Sequence, residues 1–209
     1  AIFGLSGVGG YVGEALVRSG IGSFDLIDDD KICLTNLNRQ IIATFDTVGQ
    51  YKTDVMKERM LKINPKVNIQ TYQCLFLPEN ASDFSFEDYD YIIDAMNTVE
   101  SKLLLIENAK ISKTPIISCM STDDRMDPSK LEIVDISRSV LCPIAKQIRT
   151  KLRKKGIRKV KVLSSREKIS DIQLHGSISF MPGAAGMMLA GVVVKDLLGK
   201  SDRKHRYKK

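Results

Sequence analysis

The sequence predicts an α/β fold: a doubly wound sheet, parallel in its N-terminal half, with antiparallel strands added by the C-terminal half. Three observations carry this reading. Short apolar runs alternate with helix-like segments as far as Cys119, a glycine-rich turn (Gly4-Leu5-Ser6-Gly7-Val8-Gly9-Gly10) follows the first run, and Gly4, Asp28 and Asp94 each fall where a strand ends. Such alternation implies helical crossovers, which make neighbouring strands parallel and gather ligands at their C-terminal ends.

The elements follow in order. Residues 1–3 read as a strand, 8–19 as a helix, 24–27 as a second strand, 52–63 as a helix and 67–73 as a third strand. A strand at 89–94, a helix at 98–110 and a strand at 115–119 continue the pattern. Beyond Met120 it changes: 131–136 and 159–163 read as strands separated by a basic helix at 143–155, on which Ile144, Ile148 and Leu152 form a narrow apolar stripe. No residue from 176 to 194 is charged, which reaches membrane-spanning length, but Pro182 and Gly183 break that run and Ser177, Ser179, Gly186 and Gly191 dilute it. The reading is a strand at 177–180, a turn and a buried small-residue helix at 184–198, with no stable membrane insertion.

Glycine permits positive φ and close backbone approach, so a strand, this turn and a helix N-terminus place unpaired N–H groups beneath a phosphate. Asp28, roughly 20 residues on, offers a carboxylate to a ribose hydroxyl. Ser6 stands where the second glycine of G-x-G-x-x-G would be, and a turn without ligand satisfies the loop equally well. A nucleotide is the first-choice ligand.

The segment after the second strand is more specific. It reads Asp28-Asp29-Asp30-Lys31-Ile32-Cys33-Leu34-Thr35-Asn36-Leu37-Asn38-Arg39-Gln40, then Val48-Gly49-Gln50-Tyr51-Lys52. This resembles the Rossmann-like, ThiF-like adenylating domain shared by ubiquitin-activating enzymes and the bacterial adenylyltransferases of molybdopterin and thiamine synthesis. The resemblance implies an ATP site formed by Gly4, Ser6, Gly7, Gly9, Asp28, Asp30, Asn36, Arg39, Lys52, Asp94 and Asn97. Arg39 and Lys52 take the catalytic roles, since a triphosphate and its transition state require positive charge. A nicotinamide dehydrogenase would leave both unexplained.

Further strings narrow the resemblance: Ile63-Asn64-Pro65, Tyr91-Ile92-Ile93-Asp94-Ala95, Pro115-Ile116-Ile117-Ser118, Asp127-Pro128, Val134-Asp135-Ile136-Ser137 and Gly176-Ser177-Ile178-Ser179-Phe180. In that order they are similar to the tRNA threonylcarbamoyladenosine dehydratase family. The likeness implies that ATP activates the carboxylate of the threonylcarbamoyl group on a tRNA adenosine, after which the group closes into a ring with loss of water. It also implies Mg2+ beside the ATP, a homodimer, and, as further candidates, a monovalent cation and a sulfur-transfer partner protein. Asn97 departs from the pattern, because relatives carry aspartate there; an amide can ligate a hard cation but brings no charge. Two alternatives stay open: an adenylyltransferase acting on the C-terminus of a small sulfur-carrier protein, and a catalytically weak nucleotide-binding module.

Composition sets bounds on these readings. The 209 residues, 43% hydrophobic and 27% charged, suffice for one sizeable core, so 1–199 are read as a single adenylating domain and 200–209 as a basic disordered tail. Cys33, Cys74, Cys119 and Cys142 form no C-x-x-C pair and the chain has two histidines, which counts against a structural zinc site. No targeting segment is read, and reduced cysteines fit a cytoplasmic location. Cys119 is expected to be a buried thiol and His175 structural. Residues 143–168 carry 11 Lys/Arg against one acid and 200–209 six against one; with an overall charge of +7 the remaining chain is at −8. An acidic body with a basic arm fits a polyanionic partner, and Lys146, Arg149, Arg153 and Lys154 are the expected tRNA contacts.

Overall fold

The fold is that of a computed structural model in which residues 1–139, 141–168 and 176–199 are described. Seven strands form one sheet: β1 (Ile2–Phe3), β2 (Ser23–Ile27), β3 (Asn68–Tyr72), β4 (Ile92–Asp94), β5 (Ile116–Cys119), β6 (Leu131–Asp135) and β7 (Lys161–Ser165), in the order β3-β2-β1-β4-β5-β7-β6. All neighbours are parallel except β6 and β7. The antiparallel addition is thus the edge strand β6, while β7 continues the parallel sense of β5. Among the described residues five α-helices cover the sheet: α1 (Gly7–Arg18), α2 (Lys52–Ile63), α3 (Val99–Ile111), α4 (Pro143–Lys154) and α5 (Phe180–Leu197).

Because strand side chains alternate, each strand feeds two cores. Ile2, Leu26, Ile93, Ile117 and Leu163 face one layer with residues of α1, α2 and α5. Phe3, Ile27, Ile92, Ile116 and Val162 face the other, with α3, α4 and a phenylalanine cluster in which the Phe3 and Phe76 ring centroids lie 5.0 Å apart.

Several boundaries differ from the sequence reading. No strand forms at 177–180; instead α5 starts at Phe180, four residues earlier than expected. Pro182 is the third residue of that helix, where its missing N–H has no intrahelical acceptor to lose, so Pro182 initiates rather than interrupts. α5 is long and apolar enough to cross a membrane by length and composition, yet Met181, Ala185, Leu189 and Val193, spaced by four, are buried in the first core, and the helix packs along α1. β7 begins at Lys161 because Lys159 turns the chain with φ +58°. On α4 the buried stripe is Ala145, Ile148 and Leu152, with Ile144 turned partly outward. The basic tail and His175 lie outside the described residues.

Candidate active site

The glycine turn joins the C-terminal end of β1 to α1, and sterics explain its composition. Gly4 has φ +91°, and a Cβ there would sit 2.7 Å from the Ala95 carbonyl oxygen; a Cβ on Gly9 would lie 1.8 Å from the Gly4 carbonyl oxygen. These two glycines let α1 close onto the ends of β1 and β4. The backbone bonding of α1 begins with Gly10 N–H to the Ser6 carbonyl (3.1 Å), and the N–H groups of Gly7, Val8 and Gly9 have no acceptor among the described residues. An uncapped helix N-terminus is thereby presented to the cleft. Gly9→Ala is expected to lower the melting temperature by roughly 5–10 °C, as overpacking in a chain of this size does; thermal denaturation of the variant measures it.

Asp28, at the end of β2, is buried and immobilised: its carboxylate accepts from Leu5 N–H (2.6 Å) and Asp30 N–H (2.9 Å). Burial pushes its carboxyl above the usual range, against the Lys52 ammonium 3.7 Å away. Lys52, the first residue of α2, is itself buried; its Nζ donates to Ser6 Oγ (3.0 Å) and pairs with Asp30. The departure at Ser6 therefore has a structural consequence, since its hydroxyl anchors the lysine beneath the turn. The carboxylates of Asp28, Asp29 and Asp30 converge within 4.8 Å, a set that could hold a divalent cation. Arg39 Nη1 donates to the Thr35 carbonyl (2.6 Å) and Asn38 Oδ1 (3.0 Å), and the residue lines the cleft beside Ser6 and Gly7. Asn36 does not line it. Its buried side chain accepts from Cys33 N–H (3.2 Å) and shapes the turn that presents Arg39.

Two cavities meet over this turn. One, of about 230 Å³, is bounded by Gly4, Ser6, Asp28, Asp29, Asp30, Leu75, Phe76 and Asn97. The other, of about 150 Å³, is bounded by Ser6, Gly7, Arg39, Asn97, Lys102, Met120, Asp123, Ile144 and Pro182. Ser6, Ala95, Met96 and Asn97 wall both, so exposed Asn97 stands between them.

Asp94 requires a correction. It lines neither cavity; it is completely buried, accepting from Lys102 Nζ (3.0 Å), Met96 N–H (3.1 Å) and Ser118 Oγ (2.5 Å). Lys102 Nζ also donates to the Cys119 carbonyl (2.6 Å), tying α3, β4 and β5 together under the wall that carries Asn97. Sequence reasoning passed over Lys102. The available signal was a lysine beside Leu103, Leu105 and Ile106 on a helix, eight residues after a strand-end aspartate. Cys119 is buried, and burial pushes its thiol up to about 12, which suits no nucleophile. Among the described residues no cysteine or histidine joins a metal-binding cluster.

The basic helix divides its expected contacts. Lys146, Arg153 and Lys154 are exposed. Arg149 is half-buried and donates to the carbonyls of Ser139 (2.6 Å) and Ile136 (3.4 Å), so it holds the loop before α4 rather than standing free for a phosphate. Arg149→Ala is expected to destabilise by about 1.5–3 kcal/mol, typical of a charged hydrogen-bond donor, whereas Arg153→Ala stays within about 0.5 kcal/mol; urea midpoints distinguish them.

A model of the ThiF family matches residues 1–209. The chain is 38% identical over 218 aligned residues to the tRNA threonylcarbamoyladenosine dehydratase of Bacillus subtilis, with 95% of the chain and 86% of that protein covered. It is 42% identical over 153 residues to the protein of the same name from Haemophilus influenzae, covering 73% of the chain and 59% of the relative. The Escherichia coli dehydratase TcdA, solved in complex with ATP, superposes with a TM-score of 0.90 at 30% identity, covering 98% of this chain and 87% of that one. TcdA solved with AMP superposes equally closely, at 0.89.

Proposed function

This chain belongs to the ThiF family, and on that premise we propose that it is an ATP-dependent tRNA threonylcarbamoyladenosine dehydratase that cyclises its substrate through an acyl-adenylate. The observation that carries the reading is the meeting of two cavities across Ser6 and Asn97, one beside the ribose-type carboxylate Asp28 and the other beside Arg39. In this proposal the first cavity takes the nucleoside part of ATP and the second the threonylcarbamoyl end of the tRNA adenosine.

The residues fit a triphosphate on chemical grounds. Unpartnered N–H groups at the start of α1, Lys52 beneath Ser6 and Arg39 at the rim surround the same turn, and Asp28 is held rigidly for a ribose hydroxyl. ATP, when bound, supplies an electrophilic α-phosphorus with pyrophosphate as its leaving group, and AMP then serves as the leaving group of ring closure. The chain's residues do the rest: Arg39 and Lys52 face the developing negative charge, and the cleft holds the carboxylate and the carbamoyl nitrogen of one substituent together while limiting access of water. No enzyme nucleophile is needed.

With Asp28 kept for the ribose, the exposed carboxylates of Asp29 and Asp30 are the proposed Mg2+ ligands, which requires Asp30 to leave Lys52 when the phosphates arrive. Asn97→Asp adds a carboxylate at the boundary of the cavities and is expected to raise ATP–pyrophosphate exchange several-fold at limiting Mg2+; unchanged exchange across a Mg2+ titration would remove Asn97 from the metal's neighbourhood. The same proposal includes residues 1–199 as one adenylating domain, a homodimer and a cytoplasmic location. No residue of the chain is assigned to a monovalent cation or a sulfur-transfer partner. The direct test is incubation with ATP and threonylcarbamoylated tRNA, followed by nucleoside mass analysis. The expected product is lighter by roughly 18 Da, one water, as intramolecular closure requires; AMP release without that change would overturn the dehydratase reading.

A further inference from the structure

A second basic surface lies at the opposite end of the sheet. There the start of β5, with the residues leading into β4 and β7, meets the C-terminal ends of α3 and α5 around an open pocket of about 260 Å³ lined by Lys110, Lys113, Lys159 and Lys161, with Asp196 and Tyr91. Asp196 is already engaged, pairing with Lys161 and accepting from the Tyr91 hydroxyl (2.7 Å). Lys110 Nζ donates to the Lys159 carbonyl (2.8 Å). Lys113 and Lys159 are exposed and form no ion pair among the described residues.

Their backbone is the second observation. Three non-glycine residues among those described have positive φ, and two of them are Lys113 (+63°) and Lys159 (+58°). Lys113 directly follows the C-cap of α3, a position where glycine is favoured because the left-handed conformation costs a Cβ-bearing residue energy. Local stability alone would select glycine or asparagine at both positions. Lysine at both, facing one pocket, points to a use for the ammonium groups.

The pocket is also placed on a line from the cleft. Ile144, near the start of α4, borders the 150 Å³ cavity, while Lys159 follows shortly after the end of α4 at Lys154. Twelve helical residues span about 18 Å, and exposed Lys146, Arg153 and Lys154 lie along that path.

We propose that the pocket around Lys113 and Lys159 is a phosphate-backbone subsite for RNA, gripping the tRNA at the far end of α4 while its modified nucleoside occupies the cleft. This rests on the dehydratase reading. Backbone contacts of this kind position a nucleic acid without reading its sequence, and each adds to the salt dependence of binding.

The test is tRNA binding to the full chain, followed by fluorescence anisotropy across a KCl titration, for the unaltered protein and for Lys113→Gly/Lys159→Gly. The variant is expected to keep or raise its melting temperature and to bind ATP unchanged. Its tRNA affinity should fall roughly tenfold near 0.1 M salt, and the slope of log K against log salt should shrink by between about 1 and 2. Lys113→Asn/Lys159→Asn, which also tolerates positive φ, should behave alike. Unchanged affinity and slope in both variants would overturn the subsite and leave the dehydratase reading standing. Failure of the unaltered protein to bind tRNA at all would overturn both. A variant that loses binding to phosphatidylserine vesicles but not to tRNA would reassign the pocket to a membrane surface and overturn the RNA proposal.

Discussion

Lys52→Met is expected to lower ATP–pyrophosphate exchange by two to three orders of magnitude, about what removal of one preorganised charge donor costs. The size of the effect follows from where the ammonium sits. It is buried beneath the glycine turn, between Ser6 Oγ and the Asp28–Asp30 pair, so solvent cannot take its place. The substitution has a second consequence, because Asp28 is buried and would lose its nearest cation. Some loss of thermal stability is therefore expected alongside the loss of chemistry. Lys52→Met/Asp28→Asn separates the two, because Asp28 is the carboxylate left buried without a cation. Removing one of the adjacent carboxylates should return much of the stability and none of the exchange rate. Exchange within tenfold of the unaltered protein, in a variant with a normal melting temperature, would remove Lys52 from the chemistry.

Lys102→Met is expected to be strongly destabilising. It strands Asp94, whose side chain is wholly inaccessible, without its cation, and breaking such a buried pair typically costs about 3–5 kcal/mol. For a domain of this size that is a fall in melting temperature of roughly 10 °C or more. Replacing both partners, as Lys102→Met/Asp94→Asn, should recover most of it, since an amide keeps an acceptor for the Ser118 hydroxyl and brings no buried charge. The double variant should fold but raise KM for ATP, because Asp94 also accepts from Met96 N–H and so orients the wall bearing Asn97. A double variant as unstable as the single one would show that the ion pair itself, rather than the stranded charge, supports the fold.

The contrast between these two lysines shows which parts of the site were legible. Lys52 belongs to a run of charged and amide residues after β2, and its type and spacing matched a known phosphate-binding pattern. Lys102 sits in a helix beside Leu103, Leu105 and Ile106, an apolar setting that sets it apart, but nothing local identifies the buried aspartate that it reaches. Asp94 was read toward a ligand because strand-end carboxylates usually face one. Its role was decided by Ser118 and Lys102, residues 24 and 8 positions away. Arg149 was misread for the same reason: helical position placed it on an outer face, but the loop carbonyls at Ile136 and Ser139 reach it there.

The amino-acid sequence by itself determined the alternation of strands and helices, the glycine turn with Asp28 beyond it, and the basic character of the segment around α4. Each depends on periodicity, backbone freedom or residue type within a short window, and those act before the chain is folded. Tertiary structure alone decided that Asp94 and Lys102 neutralise each other beneath the cleft, that Ser6 anchors Lys52, that Pro182 opens a helix, and that Lys113 and Lys159 share one pocket. Those outcomes depend on which polar group meets which across the packed layers, and long-range pairing of that kind has no local signature, because hydrogen-bond partners and desolvation exist only once the elements have docked.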